Sequence, residues 1–437
     1  MLVLANVKKL YDGTSSLRRA IHEHVDVWIQ GGRVHAVRPH DPTALSEETG
    51  NRRGVHHVDC SDYTVTPGLI DCHGHVTVLG LSKADMERMN APVGLLYIER
   101  ILHATLVNGG VTTMRDVGGA THQIKDLIAR GILIGPRLKI AICMLSTTGG
   151  HADFRGPDRC HAQLSTLWPP APGRPSSIVD GPWECRKRVR EVAACGADLI
   201  KICASPGIAS PSDHLGHRDL SPEEVEAVCE EATARGLRVA AHAHSQNGIE
   251  LAIRSGVNDI QHASFLKRRH VDLAYERSCT ITPTSWVISE LQNAEGLSDF
   301  VREKAKLVVD SHAKAVQYAA SGDIPVLMGT DPVLPGMHGR NYMELVYLIK
   351  DGLSPLAAWY GGTGLAARHI GQEDAGTLEP GQRADLLIAK GDIIEKPELL
   401  DNGALLEVLQ DGRGHRGLSG VPQRSFESTV RRVLEEA

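Results

Sequence analysis

The sequence contains few aromatic residues, no paired-cysteine motif and no long hydrophobic run. Phe, Trp and Tyr make up 4% of its 437 residues, and the nine cysteines are scattered without a CxxC pair. Free thiols in a reducing compartment are therefore expected, not a zinc ribbon or a disulfide framework. No stretch reaches the roughly 18 apolar residues that span a bilayer, and the N-terminus lacks a signal-peptide pattern. These absences predict a cytoplasmic protein without a membrane partner.

The chain also lacks an excess of basic residues. It has 47 Lys and Arg against 53 Asp and Glu, a formal charge of −6, which argues against a nucleic-acid partner. A hydrophobic fraction of 42% with 23% charged residues is typical of globular proteins. Histidine is the abundant exception, since its 22 residues outnumber the 4 Phe, 5 Trp and 8 Tyr together. Because histidine is the commonest metal ligand and carries protons near pH 7, the composition hints at site chemistry.

Short apolar runs alternate with longer helix-like segments through the middle of the chain. The eight predicted strands are Gly68–Val76, Val111–Val117, Arg137–Leu145, Asp198–Cys203, Leu237–Ala243, Asp259–Ala263, Cys279–Pro283 and Pro325–Asp331. The predicted helices include Glu184–Cys195, Ser221–Arg235, Asn247–Ser255 and Leu297–Ser321. The residues Ser221-Pro222-Glu223-Glu224 are typical of a helix start. Eight strand–helix units over roughly 260 residues predict an α/β fold of the (β/α)8 TIM-barrel type, with a doubly wound open sheet as the alternative.

The segments on both sides of these strand–helix units are predicted to form β structure. Residues 1–66 alternate apolar and polar, with turn signals at Asp12-Gly13 and Gly31-Gly32, and predict a small antiparallel unit. A further strand is expected at Ala384–Ala389, and an inserted loop at Trp168–Asp180. The predicted organisation is a small composite β-sandwich domain from residues 1–66 and 372–410, a metal-dependent barrel over 67–371, and a tail over 411–437 with a helix at Ser425–Glu435.

The strongest local motif is His73-Gly74-His75, at the end of the first predicted barrel strand. Side chains of a strand alternate between its faces, so both imidazoles point the same way and can reach one ion. Gly74 leaves the other side of the strand unobstructed. This motif alone is weak support for a metal site, so the other strand ends matter.

Polar residues occur at several of those ends. His242, His262 and Asp331 end the fifth, sixth and eighth predicted strands, and Lys201 lies in the fourth. Active sites of this barrel form at the carboxyl ends of its strands, so these residues would meet at one mouth. An ammonium group beside a metal dication would be repelled. Lys201 is therefore neutral, outside the site, or converted by CO₂ to a bridging carbamate, unless its ammonium reaches solvent.

In these motifs the sequence resembles the amidohydrolase superfamily of metal-dependent hydrolases. More closely, it is similar to the imidazolonepropionase-related branch that includes Xaa-Pro and other dipeptidases. The resemblance covers about residues 1–410. The motifs that support it are Thr66–His75, Val111–Gly119, Asp198–Lys201, Ala241–His244, Ile260–Phe265, Gly329–Asp331 and Asp374–Leu387.

The resemblance implies a binuclear metal centre. By this likeness His73, His75 and Asp331 hold the more buried ion, His242 and His262 hold the second, and carbamylated Lys201 bridges them. Either histidine of the His242-Ala243-His244 pair fits the fifth strand, and the family pattern favours His242 as the ligand, with His244 on the substrate side. Zinc is expected first, with manganese, cobalt and iron as alternatives.

Such a centre implies hydrolysis of an amide, peptide, carbamate or urea-type C–N bond in a small molecule. Two ions share a hydroxide of lowered pKa, and Asp331 accepts its proton and passes it to the leaving nitrogen. His151 and His338, on loops after the third and eighth strands, join His244 as candidate substrate contacts, with His151 also a candidate to polarise the carbonyl. Both loop histidines also fit a purely structural or exposed position. Arg115 points into the mouth or forms a barrel salt bridge.

Other functions fit parts of the same pattern. They are a mononuclear deaminase or cyclic amide or imine hydrolase, a phosphotriesterase-like hydrolase, and a non-catalytic protein that retains the fold. The family's fourth-strand lysine accompanies two-metal hydrolases, so Lys201 favours the binuclear hydrolase. A dipeptidase would need a cation for the substrate carboxylate, for which Arg155, Arg159 and Arg218 are candidates. A homo-oligomer is expected.

Overall fold

Strands and helices alternate along most of the chain, as the apolar periodicity predicts. The structure, a computed structural model, describes residues 1–50, 54–90, 93–153, 170–209, 214–295, 297 and 299–424. The strands in these ranges are β1 (Leu2–Val7), β2 (Lys9–Tyr11), β3 (Ile21–His22), β4 (Val25–Gln30), β5 (Arg33–Pro39), β6 (His56–Asp59), β7 (Tyr63–Pro67), β8 (Leu69–Gly74), β9 (Val111–Asp116), β10 (Arg137–Ile140), β11 (Met144–Leu145), β12 (Leu199–Cys203), β13 (Arg238–Ala243), β14 (Asp259–His262), β15 (Thr280–Thr282), β16 (Leu386–Lys390), β17 (Leu405–Gln410) and β18 (Arg413–Gly414). The α-helices are α1 (Pro42–Thr49), α2 (Lys83–Asn90), α3 (Gly94–Val107), α4 (His122–Ala129), α5 (Pro182–Ala194), α6 (Pro222–Thr233), α7 (Gln246–Arg254), α8 (Arg268–Glu276), α9 (Ser285–Leu291), α10 (Asp299–Ser321), α11 (Met343–Lys350), α12 (Pro355–Gly361) and α13 (Gly364–His369).

The middle of the chain forms two parallel sheets. One has the strand order β10-β9-β8 and the other the order β11-β12-β13-β14-β15, and all neighbouring strands in both are parallel. Helices connect successive strands, as parallel pairing requires. The predicted mixed α/β architecture is confirmed.

Two of the eight predicted strands differ from expectation. The third divides into β10 and β11, because Ile142 between them has a φ of 69° and interrupts the extended backbone. The predicted strand Pro325–Asp331 is wrong as a regular strand, since Pro325 has no N–H to donate and Asp331 has a φ of 50°. This segment nevertheless lies beside β15 and β8, because the Leu327 N–H donates to the Ile281 carbonyl (2.8 Å) and the Cys72 N–H donates to the Met328 carbonyl (2.9 Å).

Strands from both ends of the chain share a sheet. Its order is β18-β17-β16-β7-β2-β3, with β16 antiparallel to both β7 and β17. A separate four-stranded sheet has the order β5-β4-β1-β6. The predicted antiparallel unit over residues 1–66 is confirmed for the pairs β1–β4, β4–β5 and β2–β3. It is wrong for β1 with β6 and β2 with β7, which pair in parallel. The turn at Gly31-Gly32 is confirmed, since it joins the antiparallel strands β4 and β5.

Apolar side chains from these two sheets pack into one core. Leu2, Leu4 and Val65 from the first part of the chain lie in the same buried cluster as Leu386 and Leu409. A larger cluster covers the parallel strands and the helices that flank them. The helix start predicted at Ser221 is confirmed as a capping box, in which Ser221 Oγ accepts from the Glu224 N–H and the Glu224 carboxylate accepts from the Ser221 N–H.

Some predictions fall outside the described residues. These are the candidate cations Arg155 and Arg159, the helix at Ser425–Glu435, and the start of the inserted loop at Trp168. No helix in the part of the chain that is described combines the length and apolarity needed to cross a membrane. Each cysteine described there is free. The cytoplasmic location and the homo-oligomeric state stay predictions.

Candidate metal centre

Histidines from several parallel strands meet in one cleft of about 590 Å³. His73 lies in β8 and His75 directly follows it, His242 lies in β13, and His262 ends β14. Lys201 of β12, with His151, His244 and Asp331, also borders the cleft. Every residue predicted from the sequence as a metal ligand therefore faces the same space.

The first group of candidate ligands is His73, His75 and Asp331. Asp331 Oδ1 lies 3.5 Å from His73 Nε2 and 3.4 Å from His75 Nε2. His75 Nδ1 lies 2.9 Å from the Gly118 carbonyl, which only accepts, so Nδ1 carries the proton and the Nε2 lone pair faces Asp331. The group presents two ring nitrogens and one carboxylate oxygen to a single point.

The second group is His242, His244 and His262, whose ligand atoms lie within 4.8 Å of one another. His262 Nδ1 is 2.7 Å from Thr284 Oγ1, and His244 Nδ1 is 2.8 Å from Ser264 Oγ. The rings of His244 and His262 stack with their centroids 4.8 Å apart. Both histidines of the fifth strand therefore lie within reach of one ion, and the choice of His242 as the ligand stays a prediction.

Lys201 borders the same cleft as a buried amine. Its side chain is 1% exposed, and Nζ has no hydrogen-bond partner among the described residues. The alternative in which its ammonium reaches solvent is therefore wrong. Burial lowers the pKa of Lys201 to about 8, because the charged form loses its hydration.

The donor set fits divalent metal ions. Burial lowers the pKa values of His73, His242, His244 and His262 well below their usual range, and that of His75 to about 3, so the imidazoles are neutral, as ligation requires. Burial raises the pKa of Asp331 to about 7, against the opposing effect of the Lys201 ammonium. Neutral imidazoles with a carboxylate are donors that zinc and other divalent transition metals take, and zinc as the first choice stays a prediction.

Buried acids that the sequence reasoning missed hold this site in place. The Asp71 carboxylate accepts from the backbone N–H groups of His73 and Thr330, both at 3.0 Å, and so joins β8 to the segment that bears Asp331. Asp116 accepts from the Val76 N–H at 2.8 Å, next to His75. Asp71 is visible in the sequence as an acid within an apolar strand, two residues before the His-Gly-His motif.

The other candidate residues have different surroundings. His151 borders the cleft and stacks on His242 with 4.1 Å between ring centroids. A side chain at Gly207 would place its Cβ 2.1 Å from the His151 ring, so the ring would have to move away from its present position. His338 is not among the residues that border the cleft in the described part of the chain, and its Nε2 donates to the Val78 carbonyl at 2.7 Å.

Two arginines discussed from the sequence lie away from the cleft mouth. Arg115 forms a buried ion pair with Asp259 and donates to the Cys72 carbonyl, which confirms the alternative of a salt bridge between strands. Arg218 is exposed and does not border the described cleft. The substrate roles of His338 and Arg218 stay predictions.

Comparisons with known proteins identify the family. The model of the Amidohydrolase family matches residues 64–413. The chain is 30% identical to the ochratoxinase of Aspergillus niger over 369 residues, 80% of this chain and 75% of that protein. It is 28% identical to the imidazolonepropionase of Deinococcus radiodurans over 410 residues, 90% of this chain and 92% of that one. A solved Xaa-Pro dipeptidase with methionine bound in its active site matches with a TM-score of 0.81 and 29% identity, covering 95% of this chain and 100% of the dipeptidase. The chain therefore belongs to the amidohydrolase family, and it is a hydrolase that acts on carbon–nitrogen bonds.

Proposed function

We propose that the chain is a binuclear metal-dependent hydrolase that cleaves an amide, peptide, carbamate or urea-type bond in a small molecule. The observation that carries this proposal is the buried amine of Lys201, which has no partner among the described residues and borders the same cleft as the two ligand groups. A lone ammonium in such a place is costly. Converted to a carbamate, the same side chain becomes an anionic ligand between two cations.

In this proposal His73, His75 and Asp331 hold one ion, and His242 and His262 hold the other. Lys201 becomes a carbamate when its neutral amine attacks CO₂, which forms an N–C bond and releases one proton. Its lowered pKa, about 8, makes the neutral amine accessible near neutral pH. Two bound ions would supply Lewis acidity and lower the pKa of a water molecule.

Asp331 acts as general base and then as general acid. Its carboxylate accepts a proton from the attacking water while the C–O bond forms, and it gives that proton to the leaving nitrogen as the C–N bond breaks. Burial lowers the pKa values of the neighbouring histidines and raises that of Asp331, so Asp331 holds the proton better than they do. His151, stacked on His242 at the cleft, contacts the substrate and donates to the substrate carbonyl.

The remaining wall of the cleft supports a proposal for the substituent that the substrate carries. Its apolar side chains are Leu81, Met144, Ile208, Ile288, Leu291 and Val333. They would bury an aliphatic or aromatic group beside the scissile bond, where each buried CH₂ contributes about 0.8 kcal/mol. We therefore favour amides with a bulky apolar group, a class that includes dipeptides and N-acyl amino acids.

We also propose that the strands around the site form a closed barrel. The parallel sheets and residues 325–331 would complete an eight-stranded barrel over 67–371, and residues 1–66 with 372–410 would form one small composite β-sandwich domain. Backbone hydrogen bonds from Asp198 to Ile140, Leu327 to Ile281 and Cys72 to Met328 support the closure. The shared core of the end sheets supports the composite domain.

Metal analysis combined with a hydrolysis screen tests the function. Plasma emission on the zinc-loaded protein is expected to give two ions per chain, and turnover is expected on a panel of Xaa-Pro dipeptides, aromatic N-acyl amino acids, aryl carbamates and phenylureas. Turnover of the protein loaded with manganese, cobalt or iron, compared with that of the zinc-loaded protein, would rank the metals. One ion per chain with release of ammonia from an amino-substituted ring would favour the mononuclear deaminase, and two ions with no hydrolysis of any C–N bond would contradict the proposal.

A further inference from the structure

Helix α9 begins beside the second group of candidate ligands. Thr284, which precedes the helix, has a φ of 58°, and this left-handed backbone is strained for a β-branched residue. Threonine commonly caps a helix from this position, but the Thr284 side chain does not cap α9. Its Oγ1 lies 2.7 Å from His262 Nδ1 instead. The hydroxyl therefore supports a candidate metal ligand, and the first N–H groups of the helix need another partner.

A carboxylate of another helix supplies that partner. The backbone N–H groups of Ser285 and Trp286, the first two of α9, both donate to the Glu344 carboxylate at 2.8 Å. Glu344 lies in the first turn of α11 and is completely buried. The first N–H groups of a helix have no partner within the helix itself, and hydrogen bonds from N–H groups to an ionised carboxylate are stronger than those between neutral groups. Glu344 therefore caps α9 in place of Thr284.

This cap fixes the backbone directly after Thr284. Two hydrogen bonds from consecutive N–H groups to one buried carboxylate define where the helix starts and in which direction it runs. A strained residue keeps its conformation only where its surroundings hold it. The Thr284 hydroxyl consequently stays beside the His262 ring. Because the hydrogen-bond partner of a ligating histidine sets its ring orientation and the affinity for metal, Glu344 acts on His262 through Thr284.

We propose that Glu344 is a positioning residue of the metal centre, which holds the start of α9 so that Thr284 orients the His262 ring for ligation. Helix α9 also carries Ile288 and Leu291, which line the cleft. The same carboxylate therefore sets the place of one ligand and of part of the apolar wall. The effect on metal rests on the proposed function, whereas the fixed start of α9 does not.

Two conservative variants and their combination test this connection. Glu344→Gln keeps the size of the side chain but turns an N–H donor toward a backbone N–H, and Thr284→Val removes the hydroxyl at nearly constant volume. Each should weaken one of the two zinc sites about 10- to 100-fold and leave the other unchanged, measured on the full-length protein by competition with a chromophoric chelator. Because both variants break the same connection, the double variant should bind zinc about as well as the weaker single variant, whereas independent effects would multiply.

Hydrogen exchange of the metal-free protein measures the start of α9 without metal or substrate. The peptide that contains Ser285 and Trp286 should exchange faster in Glu344→Gln than in the wild type, while the peptide of β8 should not change. The matched control is Tyr347→Phe, which removes another hydrogen bond between α11 and α9, from the Tyr347 hydroxyl to Glu290 at 2.7 Å, and should leave both zinc affinities unchanged. Glu344→Asp, which withdraws the carboxylate by one methylene, replaces Glu344→Gln if that variant does not fold.

Several results would overturn the proposal. They are unchanged zinc affinities in either single variant, losses that multiply in the double variant, an equal loss in Tyr347→Phe, and unchanged hydrogen exchange in Glu344→Gln. A protein that hydrolyses no C–N bond but loses zinc affinity in both variants would contradict the proposed function and support this inference. An active protein whose zinc affinities are the same in both variants as in the wild type would do the reverse.

Discussion

Asp331 combines a left-handed backbone with a carboxyl group that faces two histidines. Its φ is 50°, and its backbone N–H donates to the His73 carbonyl at 2.8 Å. Non-glycine residues adopt this conformation at a cost of about 1–3 kcal/mol. The hydrogen bond to the neighbouring strand therefore fixes the backbone that bears the carboxylate, as the proposed proton transfer in two directions requires.

Replacing Asp331 by Asn should abolish most of the turnover. The amide has nearly the same size but cannot accept the proton, so kcat should fall about 100- to 10,000-fold. The measurement is kcat for the best substrate of the screen, with circular dichroism to show that the fold is kept. Asp310→Asn, on the exposed side of α10, is the control and should match the wild type. Near-normal turnover of the metal-loaded Asp331→Asn protein would refute the assignment.

Replacing Lys201 by Ala should remove the bridge between the ions. We expect fewer than two ions per chain by plasma emission, and partial recovery when acetate or propionate supplies a carboxylate in the space left by the side chain. Lys139→Ala, a partly exposed lysine of β10, is the control. Two ions retained at unchanged affinity in Lys201→Ala would count against a carbamate at this position.

The sequence predicted the candidate ligands better than the residues that support them. His73 and His75 could be predicted because strand geometry sends alternate side chains to one face. The same alternation left His242 and His244 indistinguishable as ligands, and the structure also groups both with His262. Glu344 could not be found, because its contact with the start of α9 depends on how α11 packs, and its distance along the chain gives no indication of this.

At the scale of the element, α10 brings a buried histidine into the protein. His312 has a folded-state pKa of about 3, well below the value of about 6.5 in an unfolded chain. Below pH 6.5 the unfolded chain therefore binds a proton that the folded protein does not. The free energy of unfolding consequently falls as the pH falls from 6.5 toward 3.

His312→Asn should make the stability less sensitive to acid. The free energy of unfolding of the wild type should fall below pH 6 more steeply than that of the variant, by about 1.4 kcal/mol per pH unit. Guanidinium denaturation of the metal-free proteins at pH 6 and pH 5 measures the difference. Replacing the exposed His214 by Asn is the control and should leave the slope unchanged. Parallel slopes for wild type and His312→Asn would contradict the buried neutral imidazole.

The elements were predictable where local chemistry decides them. Ser221 and Glu224 form a complete capping box, so the start of α6 could be predicted from four residues. The division of the third strand at Ile142 and the irregular backbone of Pro325–Asp331 could not, since both depend on neighbouring segments. The segment Pro325–Asp331 lacks regular strand geometry, but backbone hydrogen bonds to Ile281 and Cys72 hold it beside β15 and β8.

At the scale of the whole molecule, the candidate ligands come from two separate sheets. His73 belongs to the sheet of β8, whereas His242 and His262 belong to the sheet of β13 and β14. An ion that binds only the folded chain stabilises it by about 2.7 kcal/mol at one hundred times its Kd. Bound ions should therefore stabilise the molecule as a unit.

Removing metal should lower the melting temperature, and zinc should restore it in a dose-dependent way. Differential scanning calorimetry of the protein after chelator treatment and dialysis, with zinc added back stepwise, makes the measurement. The matched control is His73→Asn, in which one ligand is lost and the zinc-induced shift should shrink. An identical melting temperature with and without zinc would contradict a metal centre that bridges the sheets.

The general architecture could be predicted from the sequence, but the exact pairing of the strands could not. The alternation of strands and helices follows from apolar periodicity, which indicates an α/β fold. The parallel pairing of β1 with β6 and of β2 with β7 has no local signal, because each pair depends on contacts between distant segments.

The sheet that joins both ends of the chain also imposes an order on synthesis. Tyr63–Pro67 pairs with Leu386–Lys390, so this strand emerges from the ribosome more than 300 residues before its partner. Until then its edge is open and its apolar side chains lack part of their core, a condition that favours association between chains. Nascent chains stalled before residue 386 should accordingly need chaperones, whereas the completed polypeptide should not.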